Sequence, residues 1–310
     1  MGKILRLLAK IGILALALVI IMGRLYAQVS SWSIYLHFPL HFTLLSCLAL
    51  PFFLRKADRI FLGIALICLS FNLFQVLSVY VGQQIQAVGP TYSLVSLNLE
   101  KANPEPEKVL PYLQEQNPDV LVLLEYTSLW HNRLGTIYKD YPYRRVVLNE
   151  GYFGQMIASK YPFQSTACHW LADCHAPTLE VQIRMDSQIL DLWAFHPPSP
   201  PNVRDLLIRD EILRNWESIL EERPAHILIV GDFNITPFHP VFQDFLEANE
   251  LQDSRKGRGY HASWPTRWKN LGIPLDHALH SADIVIKKRV IGSDVGSDHY
   301  PLELRWGFGT

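Results

Sequence analysis

"HILIVGDFNITPFHP", residues 226–240, decides how this chain is read. Ile227–Val230 is an uninterrupted apolar run, short enough for a strand buried on both faces, and it stops at Gly231. An acid, an aromatic, an amide and a Thr-Pro break follow. A strand buried this well has no structural need for Asp232 and Asn234 at its tip. The stretch therefore predicts a rigid ladder that presents two polar side chains from its end.

Outward from it, from Pro90 onward, apolar runs alternate with amphipathic stretches. Residues 92–99 and 119–125 read as strands with a helix between them ("EPEKVLPYLQEQ"). "EVQIRM" and "ILDLWAF" read as an adjacent strand pair, a long helix is predicted from about Val203 to Glu222, and "HALHSADIVI" and "PLELRW" supply short strands near the end. So many strands with interspersed helices in about 220 residues predict a single α/β domain of two packed, mixed sheets with helices outside.

The same polar-tip pattern recurs. "SLVSLNLE" ends at Asn98, "DVLVLLEY" at Glu125, "LDLWAFHPPSPP" at His196, and "VGSDHYPLEL" carries Asp298 and His299; "IPLDHAL" adds Asp276 and His277. Carboxylates are hard oxygen ligands for Mg²⁺ or Mn²⁺, and imidazoles with acid partners bind or protonate phosphate. Each residue alone has a plainer reading: Asn98 as a turn cap, Glu125 as a helix-start acid, His196 as a loop histidine. The ordered combination has none.

That ordered set, "SLNLE", "LVLLEY", "FHPPSP", "VGDFNITP", "LDHAL" and "GSDHYPL", resembles the endonuclease/exonuclease/phosphatase superfamily over about residues 90–306, with "GDFN" and the terminal "SDH" as the specific elements. The resemblance implies a four-layered α/β sandwich of the DNase I type with divalent metal, Mg²⁺ or Mn²⁺, at the strand ends. It implies Glu125 as the principal metal ligand with Asn98 and Asp298 nearby, Asp232 orienting or deprotonating the attacking water, and Asn98, Asn234 and His299 at the phosphate. His299 would pair with Asp276, and His196 would serve the leaving group. The acid partner of His196 is not legible, because "DCHAPTLE" departs from the family pattern.

The first 88 residues have another texture. Hydrophobic residues make up 49% of the chain and charged ones only 18%, and up to Gly82 the charges are confined to Lys3, Arg6, Lys10, Arg24 and the cluster at 55–59. Segments at about 5–26, 33–54 and 60–82 read as two or three transmembrane helices, the first either a cleavable signal or a span with Lys10 snorkelling. The expected organisation is thus a membrane anchor over 1–88 and a catalytic domain over 89–310. Positive residues at the start and in "RKADR" place the amino terminus in the cytoplasm and the domain beyond a bacterial inner or plasma membrane. The polar residues His37, His41, Asn72 and Gln75 are expected to pack between the helices.

In such a compartment Cys168 and Cys174 are expected to form a local disulfide; two free thiols, or zinc with His169 and His175, are the other readings. From Pro90 on, 28 Asp and Glu face 21 Lys and Arg, which disfavours a tight, processive DNA binder. The substrate expected is a phosphodiester in nucleic acid or a lipid headgroup, with the bilayer as the other partner and no protein partner implied. Trp264 and Trp268 are expected in the core, with contact to a base or a lipid as the other readings. A silent binding module would show missing ligands, and transport would need more charge in the spans.

Overall fold

The computed structural model describes residues 2–27, 31–82, 89–171, 176–200, 202–216 and 226–309. Two sheets of six strands form the domain. The first has the order β11(Ile284–Ile291), β12(Leu302–Phe308), β1(Tyr92–Asn98), β2(Val120–Leu124), β4(Gln155–Ser159), β3(Tyr143–Val147). The second runs β5(Phe163–Trp170), β6(Pro177–Met185), β7(Gln188–Phe195), β8(His226–Asp232), β10(Asp276–His280), β9(Gln252–Asp253). Only β1 with β2 and β7 with β8 run parallel; the other pairs are antiparallel.

Alternation along the strands builds the layers. Val120, Val122 and Leu124 face Leu192, Leu228 and Val230 of the other sheet, while Leu121 and Leu123 turn outward onto α4(Val109–Gln116) and α5(Ser128–Arg133). On the other side, Trp193, Ile227 and Ile229 pack under α6(Val203–Arg214) and α7(Pro240–Ala248). The result is the four-layered α/β sandwich expected. α6 is described only to Arg214; the remainder of the helix expected to Glu222 falls largely outside the described residues.

Amino-terminal to the sandwich, α1(Gly2–Leu25) and α3(Arg59–Ser78) are long apolar helices; by length and composition two described helices, Gly2–Leu25 and Lys56–Ser78, could cross a membrane. The segment expected to span over 33–54 departs from that reading. It breaks into a 3₁₀ turn (Ser31–His37), α2(Pro39–Ala49) and a second 3₁₀ turn (Leu50–Phe53). Pro39 sets the break before α2, since it lacks an N–H and disfavours a helical residue before it, while the chain stays helical through Leu50 into the second turn. The continuous helix Pro39–Phe53 rises about 24 Å, short of the ~30 Å hydrocarbon core. Lys10 does not simply snorkel: its ammonium meets buried Asp58 at 2.5 Å and lies 4.8 Å from the Phe61 ring centre, pinning α1 to the turn before α3.

Of the two cysteines expected to pair, Cys168 is a free thiol on β5 and Cys174 lies outside the described residues. His169, read as a possible zinc ligand, meets Glu180 at 2.6 Å instead; His175 is also outside the described residues.

One glycine fixes the end of β8. Gly231 sits at φ +150 with the Phe195 carbonyl against its α-carbon, so any β-carbon would be driven into that oxygen. Gly231→Ala should therefore destabilise the protein by about 3 kcal/mol, read as a fall in thermal midpoint; an unchanged midpoint would show that the β7–β8 contact gives way easily.

Candidate active site

The parallel pairs β1–β2 and β7–β8 finish at the same edge of the sandwich, and the antiparallel strands β10 and β12 begin there. Residues at strand ends on one side of the chain direction and at strand starts on the other therefore meet. Asn98 closes β1, Glu125 follows β2, His196 follows β7 and Asp232 closes β8. Asp276 opens β10 directly opposite Asp232 in the register, and Asp298 and His299 precede β12.

Asp232 is the hub. Only 1% exposed, its Oδ2 receives the Asn98 amide at 3.3 Å and has the Nε2 atoms of His299 and His196 at 3.5 and 3.6 Å. Its Oδ1 accepts the backbone N–H of Asn234 at 3.0 Å. Burial pushes the Asp232 carboxyl above its ordinary range; the His299 charge opposes this, Asp276 adds to it and His196 offsets it further.

His299 is set by the acid behind it. Its Nδ1 lies 2.8 Å from Asp276 Oδ2, and its backbone N–H donates to Ser297 Oγ, which itself donates to the Asn98 carbonyl at 2.7 Å. Burial alone would lower the imidazole pKa, but Asp276 and Asp232 outweigh it and hold the ring protonated up to about 10. His196 is different. Burial lowers its pKa, Asp232 recovers only part of the loss, and Phe153 lies 6.0 Å from it between ring centres.

Glu125, half-buried at φ +54, accepts the Lys101 backbone N–H at 2.9 Å and the Asn98 amide at 3.2 Å. Burial raises its carboxyl; those two donors and His299 offset part of this, and Asp298 raises it again. Asp298 is held through Oδ2 by the Trp264 indole N–H at 2.9 Å, and its backbone N–H donates to Glu100 at 2.8 Å. Among the described residues no three His, Cys, Asp or Glu side chains form a closed metal cage. A magnesium ion needs only one or two carboxylates and keeps its waters, so an oxygen-rich corner with a carboxyl raised by burial fits such an ion. Asn98 turns its nitrogen, not its oxygen, toward Glu125, because its Oδ1 accepts the Glu100 N–H at 3.0 Å. It stands here as a support for Glu125 and Asp232.

Three residues that the motifs do not single out as ligands border the site. Arg209 of α6, fully buried beside Asp210, donates to the Asn234 carbonyl at 2.7 Å; Glu100 accepts the Asp298 N–H; and Trp264, expected in the core, donates its indole N–H to Asp298. His277 faces the other way, as strand alternation requires, with Nε2 2.8 Å from the Ile235 carbonyl. Trp268, also expected in the core, is 43% exposed and meets His41 edge-on.

The model of the Endonuclease/Exonuclease/phosphatase family matches residues 95–299. Solved structures share the fold at low identity. Danio rerio TDP2 complexed with single-strand DNA product is 17% identical, with TM-score 0.58 over 71% of this chain and 100% of that one. The 3′ phosphatase NExo from Neisseria, bound to a product DNA hairpin, has the same figures of 17%, 0.58, 71% and 100%. The human Nocturnin catalytic domain with bound sulfate is 13% identical, with TM-score 0.57 over 72% and 96%. No curated protein matches by sequence.

The raised pKa of His299 makes its pairing a source of stability that is complete below about pH 6.5 and lost as pH rises through about 10. In metal-free buffer the thermal midpoint of the wild type should exceed that of His299→Gln most at pH 6.5 and least near pH 10. A difference that stays constant over this range would mean that His299 is not held charged.

Proposed function

The chain belongs to the endonuclease/exonuclease/phosphatase family, and from that premise we propose that it is a membrane-anchored, divalent-metal-dependent phosphoesterase, most simply a phosphodiesterase of the nuclease type. The observation that carries this reading is the shared Asp232 carboxylate. One buried acid faces a protonated imidazole, a second imidazole, an amide and a backbone N–H.

Such an arrangement suits hydrolysis at phosphorus, where positioning and neutralisation of negative charge do most of the work. Asp232 orients the attacking water and takes its proton. His299, kept as imidazolium by Asp276, sets positive charge against the phosphoryl oxygens. Asn234 presents its side chain beside them, and His196 lies where a leaving oxygen can be served. Glu125 and Asp298 would hold Mg²⁺ or Mn²⁺, with Asn98 steadying Glu125. What such an ion supplies when bound is further positive charge against the same oxygens.

A nucleic-acid strand is the first substrate class, since two proteins of this fold hold DNA products. A lipid headgroup phosphodiester is the second. It is favoured by Trp268, which stands exposed against α2 in the loop that also carries Trp264. We place α1 and α3 in the bilayer, as the anchor that holds the domain at the membrane.

The full chain in detergent micelles, assayed on DNA, RNA and sphingomyelin with and without Mg²⁺, should hydrolyse one of them in a metal-stimulated manner. Glu125→Ala and Asp232→Ala should each lower turnover by about 10³-fold while the thermal midpoint shows a folded protein. Unchanged turnover in either variant would remove that residue from the chemistry.

A further inference from the structure

The turn Phe233–His239 joins β8 to α7 and carries Asn234 at φ +52, a left-handed conformation that has to be held from outside. From the inner side it is gripped by Arg209 on the Asn234 carbonyl, and Asn234 Nδ2 donates to the Pro197 carbonyl at 3.0 Å. The outer grip comes from the other end of the chain. His37, in the 3₁₀ turn after α1 and only 5% exposed, places Nδ1 3.0 Å from Thr236 Oγ1 and accepts the Thr236 backbone N–H at 3.2 Å. A ring nitrogen that accepts an N–H carries no proton, so His37 is neutral with its proton on Nε2. Its ring stacks on His239 at 5.2 Å and 20°, and His239 in turn caps α7 by accepting the Val241 N–H.

The rest of the contact is continuous with this grip. Arg24 donates to the Phe238 carbonyl at 3.4 Å, Phe238 and Tyr260 pack with Val76 and Val79, and the Val79 carbonyl accepts the N–H groups of Gly257 and Gly259 at 3.0 and 3.2 Å. The apolar helices are thus joined to the wall of the site, two residues from Asn234, and do more than tether it.

We infer that His37 is a positioning residue of the active site: by holding Thr236 it fixes the turn that presents Asn234 and, through the Asn234 N–H, the Asp232 carboxylate. The inference rests on the reading of Asn234 as a phosphate-binding group. It makes the amino-terminal helical unit part of the catalytic apparatus.

The test uses the full chain in detergent with Mg²⁺ and bis(p-nitrophenyl) phosphate, comparing wild type, His37→Leu, His37→Asn and Asn234→Ala. His37→Leu, which keeps the bulk and loses the acceptor, should lower kcat/KM about tenfold or more and weaken competitive inhibition by inorganic phosphate in parallel. His37→Asn, whose amide oxygen can accept from Thr236, should recover activity to within about threefold. Should His37→Leu fail to fold, the isosteric Thr236→Val takes its place with an expected loss of about threefold to tenfold. Wild-type kinetics in whichever of these folds, or equal losses in Leu and Asn at position 37, would overturn the inference while an impaired Asn234→Ala leaves the phosphate reading standing. Full activity in Asn234→Ala would instead overturn that reading, and the inference with it.

Discussion

A carboxylate sealed from water is expensive unless polar partners surround it, and Asp232 meets that cost by drawing two N–H donors and two imidazoles to one edge of the sandwich. These partners come from three strand ends and the lead-in to a fourth, so the acid also acts as a geometric constraint on how the two sheets are stacked. If the sheets slid by one residue, Asn98 would leave Asp232 and His299 would be displaced from both Asp232 and Asp276. The apolar layers between the sheets hold that alignment, and the alternation of β1, β2 and β8 is its source.

Most of the candidate site is legible in the sequence because strand ends are local features. "GDFN", "LVLLEY" and "SLNLE" each pair a buried run with a polar stop, "SDH" leads into β12, and all four arrive at one place. What escaped was everything that depends on long-range pairing or on weak patterning. The edge strand Phe163–Trp170 is half exposed and Tyr143–Val147 carries two arginines, so neither gives a clean period of two. Arg209 looked like one charge among many on a surface helix. Its burial against Asp210 and Asn234 comes from the way α6 crosses the β8 turn. The direction of His277 was legible in principle, since it neighbours Asp276 on a strand and must point the opposite way.

The membrane-like region shows the same division. Its composition announced apolar helices, yet His37 and His41, expected to pack between them, reach Thr236 and Trp268 of the sandwich instead. Only Asn72, bonded to the Cys68 carbonyl, and Gln75, which accepts from Arg24, remain within the helical unit. Pro39 decides this by starting α2 afresh and leaving the turn Ser31–His37 before it to face the domain. Hydropathy reports how much apolar surface a segment has and not where a proline lets it bend.

Behind Asp276 lies a buried cationic nest in which Arg255 and Arg289 both donate to the Asp276 carbonyl at 3.0 Å. Because side chains alternate along β10, moving that strand by a single position would exchange an acid for an imidazole at the candidate site and turn the acid toward the opposite face of the sheet. Two guanidinium groups clamped on one peptide oxygen make the misaligned pairing sterically and electrically distinct from the correct one. The position of the strand and that of the acid behind His299 are thereby tied to the same pair of contacts.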